Sequence, residues 1–486
     1  MNTSLHPFNR NISMLTDFYE LTMAGGYLAN GMEHEIGVFD IFFRNLPENG
    51  GFAIACGLEQ AIDYITSLHF TDEDIAFLRN KNVFDETFLT WLKNFNFTCN
   101  VRAVPEGTPV FPREPLVTVE GPVMQAQLLE TALLVTINHQ TLIATKANRI
   151  VRAAGSRPVS EFGARRAQGY DASVYGARAA YIAGCVGTSN LLADQKFGIP
   201  SNGTMAHSWV QMFPTEYDAF KAYAETYPNN CILLVDSYNT LKSGVPNAIR
   251  IFDEVLKPKG IRPKSIRIDS GDIAYLSKRA RVMLDEAGYE DVKIVASNSL
   301  DEYLILELLR QDAKVDSFGV GEKLITSKTA PVFGGVYKLV ALKNGEAYIP
   351  KIKISESTEK ITTPYLKNLY RLYDNETGIA MADYITMHDE TEISNAKELT
   401  LFDPIETWKR RTFTNFTIKP LLVPIFEGGR LVYNRPSLEE IRTYCAEQLD
   451  TLWEELKRFE YPHKYYVDLS DKLWQERQSL LEEYSE

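Results

Sequence analysis

The stretch that decides the fold is SIRIDSGDIAYLSKRARVMLDEAG, residues 265–288. It opens with a short apolar run that ends in the polar sequence DSGD at 269–272. Apolar residues then recur at helical spacing, with Asp272 at the position of a helix cap and Gly288 at the position of a helix stop. The pattern predicts a strand, a tight turn and an amphipathic helix in direct succession.

The same strand-then-helix pattern recurs on both sides of this stretch. Repeated strand-helix units predict a parallel sheet, and their number favours a barrel over an open sheet. The other predicted strands of this sheet are 158–161, 231–236, 292–297 and 315–319.

Changes in pattern divide the chain into three regions, 1–140, 141–345 and 346–486. The first mixes helices with short strands, the second holds the predicted barrel, and the third is expected to be mostly helical at its end. The elements expected outside the barrel are helices Thr16–Asn30, Gly57–Leu68, Thr71–Arg79 and one from Pro122, and strands Val38–Phe43, Ala103–Phe111, Leu116–Glu120, Gly335–Leu342 and Tyr348–Ile354. A polar stretch and C-terminal helices from Ser437 are expected to follow, with an apolar stripe from Leu438 to Leu456.

The charge balance excludes several classes of partner. The chain has 51 Lys and Arg against 64 Asp and Glu, a net charge of -13, so binding to nucleic acid or to an anionic membrane is not expected. The five cysteines form no C-x-x-C pair, which argues against a disulfide framework and a cysteine zinc site. The sequence shows neither an apolar leader at its start nor a long apolar run, so a cytoplasmic protein is expected.

Function in a parallel barrel collects at the carboxyl ends of the strands. Glycines there let a backbone approach a ligand and offer N–H groups to phosphate, although a tight turn can require glycine for structural reasons alone. Together with nearby cations, these turns point to a phosphorylated substrate. The sequences at the predicted ends are Glu161 with Phe162–Arg166, Gly203–His207, Asp236-Ser237, Asp269–Asp272, Ser297-Asn298 and Gly319–Gly321, and the nearby cations include Arg267 and Lys323.

Three of these residues suggest specific chemistry. Asp269 and Asp272 suit Mg²⁺ shared with substrate phosphates, whereas Asp272 alone could be a plain helix cap. His207 could be structural, but its place after a Gly-Thr turn favours a nucleophile that accepts a phosphoryl group. The chain has no G-x-x-x-x-G-K-[ST] motif, so any bound ATP is expected to be held without a P-loop.

A set of motifs extends over most of the chain. In chain order they are LTDFYE with MA at 15–24, EFGARR at 161–166, GTMAHS at 203–208, IDSGD at 268–272, FGVG at 318–321 and GGVYK at 334–338. In this order and spacing they resemble the bacterial-type nicotinate phosphoribosyltransferase family nearly from end to end.

The resemblance implies both a fold and an activity. The fold would be an irregular α/β (TIM-like) barrel, with a flanking α+β domain built from the N- and C-terminal regions. The activity would join nicotinate to phosphoribosyl pyrophosphate in NAD salvage, driven by ATP through a phosphohistidine at His207. The resemblance also implies Mg²⁺ and a homodimer in which Tyr19 of one subunit reaches the site of the other.

The resemblance also assigns the remaining site residues. Asp269 would stabilise the ribosyl group during catalysis and hold Mg²⁺ together with Asp272. The residues for nicotinate would be Tyr19, Phe162, Ser189, Thr204 and Arg267. Those for phosphoribosyl pyrophosphate would be Arg165, Ser270, Gly271, Ser297, Gly319, Gly321 and Thr326.

One residue bears on the choice between nicotinate and nicotinamide. Related enzymes that use nicotinamide place an aspartate where this chain has Ser189. An aspartate would repel the carboxylate of nicotinate and a serine would not, so we expect the acid to be preferred over the amide.

Three alternatives remain on the sequence alone. A related phosphoribosyltransferase acting on quinolinate would need more cations than Arg165, Arg166 and Arg267 supply. A non-catalytic nucleotide sensor would have no reason to keep His207 together with Asp269 and Arg267. A retaining glycosidase needs two carboxylates at strand ends, for which Glu161 and Asp236 are candidates, but the glycine turns argue against it.

Overall fold

The computed structural model describes residues 10–356 and 360–484, apart from the side chains of residues 394 and 395. The start of the chain, where no leader is expected, lies largely outside these residues. The chain forms two compact units: unit 1 is Met1–Thr145 with Val332–Glu486, and unit 2 is Lys146–Pro331. No helix in the described ranges combines the length and the apolar character needed to cross a membrane.

The three helices predicted before residue 80 agree with the structure to within two residues at each end. The helix Glu86–Lys93 was not predicted, and the single helix predicted from Pro122 is divided in two. Thr71 caps one of the three predicted helices by accepting from the Asp74 N–H, and Asp74 bonds back to Thr71. The helices are α1 Phe18–Ala29, α2 Leu58–Ser67, α3 Asp72–Asn80, α4 Glu86–Lys93, α5 Val123–Gln127 and α6 Glu130–Ala154. The strands are β1 Ile36–Phe43, β2 Ala53–Ile54, β3 Asn100–Ala103, β4 Pro109–Val110 and β5 Val117–Pro122.

The continuous strand predicted over Ala103–Phe111 is wrong. Only its two ends belong to strands, β3 and β4. Between them Gly107 adopts a φ of 87° and its N–H donates to the Ala55 carbonyl, which turns the chain.

Unit 2 contains the predicted strand-helix units. In the helix Ile273–Glu286, Asp272 is the cap and accepts from the Tyr275 N–H at 2.9 Å, and Gly288 follows the helix at a φ of 78°, as the sequence predicts. The strands are β6 Val159–Glu161, β7 Gly187–Thr188, β8 Ile232–Leu234, β9 Ser265–Ile268, β10 Lys293–Ala296 and β11 Ser317–Val320. The helices are α7 Tyr170–Ile182, α8 Leu191–Phe197, α9 His207–Gln211, α10 Glu216–Thr226, α11 Val245–Ile251, α12 Ile273–Glu286, α13 Glu302–Arg310 and α14 Glu322–Ile325.

These six strands form one parallel sheet in the order β7-β6-β11-β10-β9-β8. The closed barrel is not confirmed, because β7 and β8 are edges that do not pair with each other in the described residues. The chain after β7 makes only one bridge to it, from Ser201 to Thr188, and then leaves the sheet. The strand expected before Gly203 is therefore reduced to this single bridge, and the fold is a mixed α/β fold with an open parallel sheet.

The C-terminal part of unit 1 is richer in strands than the sequence predicted, since β14 to β20 occupy the stretch read as polar. The strands are β12 Gly335–Asn344, β13 Ala347–Pro350, β14 Lys367–Asp374, β15 Ala380–Met387, β16 Leu399–Phe402, β17 Arg410–Phe413, β18 Phe416–Pro420, β19 Val423–Glu427, β20 Arg430–Leu431 and β21 Val467–Leu469. The helices are α15 Leu438–Asp450 and α16 Asp471–Glu483, so the stripe residues Leu452 and Leu456 lie beyond the end of α15.

The main sheet of unit 1 joins distant parts of the sequence. Its order is β13-β12-β1-β5-β3-β19-β20, and a second sheet has the order β18-β14-β15-β21. Strand β1 lies between β12 and β5 and pairs antiparallel with both. The large apolar core of this unit packs around Ile41, Phe43, Ile62, Leu89 and Val119, each fully buried.

Candidate active site

The carboxyl end of β9 carries two charged residues of the predicted site. Side chains alternate along a strand, so Ile266 and Ile268 are buried while Arg267 points to the other face. Arg267 Nη2 donates to Asp269 Oδ1 over 2.6 Å, and its Nε donates to Ser297 Oγ over 2.8 Å. Ser297 Oγ also donates to Asp269 Oδ1. Arg267, Asp269 and Ser297 therefore form a closed triangle of hydrogen bonds between the ends of β9 and β10.

The same arginine also holds a segment that is outside the sheet. Arg267 Nη1 donates to Thr204 Oγ1 over 3.0 Å and to the Met205 carbonyl over 3.4 Å. The arginine side chain is 16% exposed, so part of it remains open to solvent. These contacts bring Thr204 and Arg267 together, as predicted, and they fix the segment that leads to His207.

His207 is the first residue of α9, and its side chain is 38% exposed. Its Nδ1 lies 3.0 Å from Ser237 Oγ. Its Nε2 lies 4.0 Å from Asp236 Oδ1 and 3.9 Å from Asp269 Oδ2. One ring nitrogen thus has a hydroxyl partner, while the other faces two carboxylates.

Asp236 is a site residue to which the sequence analysis gave no role in this chemistry. Its side chain is only 2% exposed. Its Oδ2 accepts from the Asp269 N–H at 2.9 Å and from Ser270 Oγ at 2.6 Å. The signal was present in the sequence, because Asp236 ends a predicted strand in the same way as Asp269 does.

Two carboxylate oxygens fit a magnesium ion at this point. Asp236 Oδ1 is buried and has no hydrogen-bond partner in the described chain, and Asp269 Oδ2 faces the same nitrogen of His207. Mg²⁺ commonly takes one or two carboxylates and leaves its other positions to water and phosphate. Asp272 instead uses Oδ1 to cap α12. The described residues contain no group of three or more His, Cys, Asp or Glu that could hold a metal ion, so only these two carboxylates are available at this point.

The ring of Phe162 lies directly against the glycine turn after β11. A Cβ atom on Gly319 would come within 2.4 Å of the ring, and one on Gly321 would come within 3.0 Å of the Phe162 carbonyl. The guanidinium carbon of Arg267 lies 5.9 Å from the centre of the ring. Gly319 is therefore needed to admit the ring of Phe162, and a side chain at Gly321 would fit only tightly against the Phe162 carbonyl.

Glu161 organises the turn on which Phe162 lies. Its fully buried carboxylate accepts from the Gly163 N–H and, at 2.7 Å, from Thr188 Oγ1. Burial raises the pKa of Glu161 to about 6, although both hydrogen bonds oppose this shift. Thr188 ends the neighbouring strand β7, and Ser189 follows it. Ser189 is exposed, and its N–H donates to the Glu161 carbonyl at 2.9 Å.

Other predicted residues are not tied into this cluster by side-chain contacts in the described ranges. Arg165 is exposed on the turn after β6. Thr326 Oγ1 donates to the Glu322 carbonyl at 2.7 Å, within the end of α14. Gly271 adopts a φ of 80° in the turn before α12, which favours glycine there.

Tyr19, the remaining predicted residue, belongs to unit 1. It lies on α1 and is 45% exposed. Burial and the nearby carboxylates of Glu130 and Glu20 raise the pKa of its hydroxyl, so the ring is a neutral aromatic surface over the physiological pH range.

A parallel sheet whose strand ends bring together a histidine, two aspartates and an arginine defines an α/β enzyme with a site for an anionic small molecule. Three family models match consecutive parts of the chain: the nicotinate phosphoribosyltransferase N-terminal domain over residues 14–138, the nicotinate phosphoribosyltransferase family over 158–376, and the C-terminal domain over 366–477. The chain belongs to the nicotinate phosphoribosyltransferase family. This confirms the resemblance seen in the sequence.

Individual relatives agree over nearly the whole length. The chain is 45% identical to the nicotinate phosphoribosyltransferase of Bacillus subtilis (strain 168), covering 97% of this chain and 96% of that protein. It is similar to the crystal structure of human nicotinic acid phosphoribosyltransferase, with a TM-score of 0.85, 30% identity and coverage of 96% and 99%. The nicotinate-nucleotide pyrophosphorylase from Pyrococcus furiosus is similar with a TM-score of 0.69, 26% identity and coverage of 91% and 96%.

Proposed function

We propose that this enzyme transfers the phosphoribosyl group of phosphoribosyl pyrophosphate to the ring nitrogen of nicotinate, and that ATP stimulates the reaction through a phosphohistidine at His207. The products are nicotinate mononucleotide and pyrophosphate, a step of NAD salvage. The observation that carries the proposal is the hydrogen-bonded triangle of Arg267, Asp269 and Ser297 beside the ring of Phe162.

The nicotinate subsite combines a cation with an aromatic face. The partly exposed guanidinium of Arg267 pairs with the carboxylate of the substrate, and Thr204 adds a hydroxyl contact. The ring of Phe162, close to this cation, stacks on the pyridine. The hydroxyl of Ser189 is neutral, so it does not repel the carboxylate of nicotinate.

The transfer step breaks one bond and forms another at C1 of the ribose. The electron pair of the C1–O bond leaves with pyrophosphate, and the lone pair of the pyridine nitrogen forms the new C1–N bond. Positive charge builds up on the ribosyl group between these events, and the carboxylate of Asp269 stabilises it. Arg165, Ser270, Gly271, Gly319, Gly321 and Thr326 are proposed to bind the sugar phosphates.

Magnesium fits this site through Asp236 and Asp269, rather than through Asp272. When bound, Mg²⁺ would neutralise charge on the phosphates and on the leaving pyrophosphate. Asp236 also positions the chain, because its Oδ2 holds the Asp269 N–H and the Ser270 hydroxyl.

His207 is suited to accept the γ-phosphoryl group of ATP. If Nδ1–H donates to Ser237, the lone pair of Nε2 is free to attack phosphorus, and ADP leaves with the electrons of the broken P–O bond. The side chain is exposed enough for ATP to approach. Hydrolysis of the phosphohistidine then provides the driving force that raises product formation.

The active form is proposed to be a homodimer in which Tyr19 completes the nicotinate subsite of the partner subunit. Helix α1 supports this, because it exposes Phe18, Tyr19 and Met23, which are 54%, 45% and 38% exposed. Exposed apolar side chains grouped on one helix are typical of protein interfaces.

Product analysis tests the proposed function. The purified protein is supplied with Mg²⁺ and phosphoribosyl pyrophosphate, and with nicotinate, nicotinamide or quinolinate separately, each with and without ATP. We expect the mass of nicotinate mononucleotide among the products only when nicotinate is the substrate. ATP should increase the amount of this product, and phosphate should be released. Product from quinolinate, or none from nicotinate, would overturn the proposal.

A further inference from the structure

A second concave site lies in unit 1, and none of the residues assigned to the reaction lines it. It is a cavity of about 490 Å³, formed where four segments of unit 1 converge. Three of these segments come directly after β1, β4 and β16, and the fourth leads into β21. Its volume lies within the roughly 300–1,000 Å³ typical of small-molecule sites.

The lining of this cavity is cationic in a chain whose net charge is -13. Arg44, Arg113 and Lys464 line it, together with one carboxylate, that of Asp403. Asp403 accepts from the N–H groups of Ile405 and Glu406 and from Lys464 Nζ, so its charge is already compensated. The two arginines therefore leave the cavity with an excess of positive charge.

Arg44 and Arg113 have no ion pair and no side-chain hydrogen bond within residues 10–356 and 360–484. The Nε of Arg44 is buried and without an acceptor. Its guanidinium carbon lies 5.6 Å from the ring of Phe42, a cation–π contact that leaves its N–H donors unused. A buried guanidinium N–H without an acceptor is costly and is expected to have a partner that is absent from the protein itself.

A third arginine, which does not line the cavity, interacts electrostatically with Arg113. Arg477 on α16 is 8% exposed, and its Nε also has no acceptor in the described residues. Burial and the nearby positive charge of Arg113 both lower the pKa of Arg477. Two guanidinium groups that repel each other would both be stabilised by an anion bound beside Arg113.

The rest of the lining is mixed, with the polar residues Asn45, Asn49 and His463 beside apolar ones. Phe111 and Tyr465, which stack with ring centres 3.9 Å apart, line the cavity together with three prolines, Pro112, Pro404 and Pro462. Such a wall suits a flat apolar group carried next to a negative charge.

We propose that this cavity is a non-catalytic binding site for a phosphate-bearing ligand of mononucleotide size, whose phosphate contacts Arg44, Arg113 and Lys464. The phosphate supplies several acceptor oxygens for the unused N–H donors, and the base packs against the proline and aromatic wall. The site does not depend on the proposed reaction, because none of its lining residues is assigned a role in it.

Crystallography locates the anion directly. Crystals of the full chain are soaked with tungstate, a tetrahedral oxyanion whose tungsten scatters anomalously, and in parallel with AMP. We expect an anomalous peak between Arg44, Arg113 and Lys464, and the AMP phosphate at the same place. Peaks only at the strand ends of unit 2 would overturn the proposal while leaving the proposed function intact.

Titration in solution gives the second readout. AMP, inorganic phosphate and adenosine are titrated into the full chain and into R113Q/K464Q, with R44Q as a second variant. Loss of charge-assisted hydrogen bonds should weaken AMP at this site by about tenfold or more, so the variant should bind one AMP fewer per chain. Adenosine should bind this site weakly because it lacks the phosphate, and phosphate alone should bind more weakly than AMP.

A matched variant controls for the change in net charge. R79Q/K81Q removes two exposed cations of unit 1 that do not line the cavity, and it should bind as the unaltered protein does. Phosphate should raise the unfolding temperature of the unaltered protein and of this control more than that of R113Q/K464Q. Equal AMP stoichiometry in all of the proteins would rule out the site.

Discussion

The ring of Phe162 lies so close to Gly319 that a Cβ atom on the glycine would approach it to 2.4 Å. The two residues belong to the neighbouring strand ends of β6 and β11, which pair in parallel. The contact sets the position of the ring that is proposed to stack on nicotinate.

The first prediction concerns G319A. The added methyl group must displace the ring of Phe162, so we expect the KM for nicotinate to rise and the free energy of unfolding to fall by about 1–3 kcal/mol. Steady-state kinetics and thermal unfolding measure both effects. G334A is the matched control, because a Cβ there meets nothing within 4 Å. Equal behaviour of the two variants would contradict this role of Gly319.

A second prediction concerns R267K. Lysine keeps the charge but loses the planar fork that bonds Thr204, Ser297 and Asp269 at once. Loss of a charge-assisted hydrogen bond should lower kcat/KM for nicotinate by about 10- to 100-fold, chiefly through KM. R262K, an exposed arginine paired with Asp291, should have no effect. An unchanged KM in R267K would exclude Arg267 from the nicotinate subsite.

A third prediction concerns phosphorylation of His207. Incubation with γ-labelled ATP should give label that is stable in base and labile in acid, as expected of a phosphohistidine. H207N should carry no label, whereas H34N, which replaces an exposed histidine of unit 1, should be labelled normally. Normal labelling of H207N would show that the phosphoryl group is carried elsewhere.

A fourth prediction concerns the choice of substrate. S189D places a negative charge at the end of β7, and we expect the preference for nicotinate over nicotinamide to fall by roughly tenfold or more through repulsion of the carboxylate. The ratio of kcat/KM for acid and amide measures it. S189N has nearly the same size without the charge and should change the ratio much less. An equal change of the ratio in both variants would mean that the size of the side chain, and not its charge, sets the preference, which would contradict the prediction.

A fifth prediction follows from the buried carboxyl of Glu161. Its pKa in the folded protein is about 6, above the ordinary value of 4.5, so the folded state binds the proton more tightly than the unfolded state. Its stabilising contribution is complete below about pH 4.5 and is lost as the pH rises through about 6. The unfolding free energy of the unaltered protein minus that of E161Q should fall by roughly 2 kcal/mol from pH 4 to pH 7. Denaturant unfolding over this range measures it, and a flat difference would contradict the pKa shift.

Five of the six strands of the central sheet were predictable because each is a short apolar run that ends in polar or small residues. Asp236, Asp269 and Ser297 each follow such a run, and parallel strands bring their carboxyl ends to one edge. The sequence could not show which of these side chains bond to one another. The place of Asp236 beside His207 emerges only from the geometry, whereas the capping role of Asp272 was predicted from the sequence.

The open edge of the sheet was not predictable from a local pattern. Strand β7 has only two residues, Gly187 and Thr188, which is too short to show a period. The segment after Ser201 contains glycine and polar residues and pairs through side chains rather than through a strand ladder.

The strands after residue 354 were missed for a different reason. Arg371 and Asp383 interrupt the apolar pattern of β14 and β15, yet both are fully buried and form an ion pair at 2.6 Å. A charged residue within a strand suggests a solvated surface unless its partner is known, and the partner here lies on the adjacent strand. Long-range pairing, such as that of β1 with β12, is likewise invisible to local periodicity.

The segment from Ser201 to His207 is held to the sheet by bonds of Asn202 to the ends of β6 and β7 and, nearer His207, by the side chain of Arg267. On the proposed function, the same guanidinium receives the carboxylate of nicotinate, so binding of the acid competes with the bonds to Thr204 and Met205. Occupation of one substrate site therefore changes the freedom of the loop that carries the phosphorylated histidine. Thermodynamic linkage makes this coupling between the two sites reciprocal. Phosphorylation of His207 must change the affinity for nicotinate by a certain factor, and bound nicotinate must change the equilibrium for phosphorylation of His207 by the same factor.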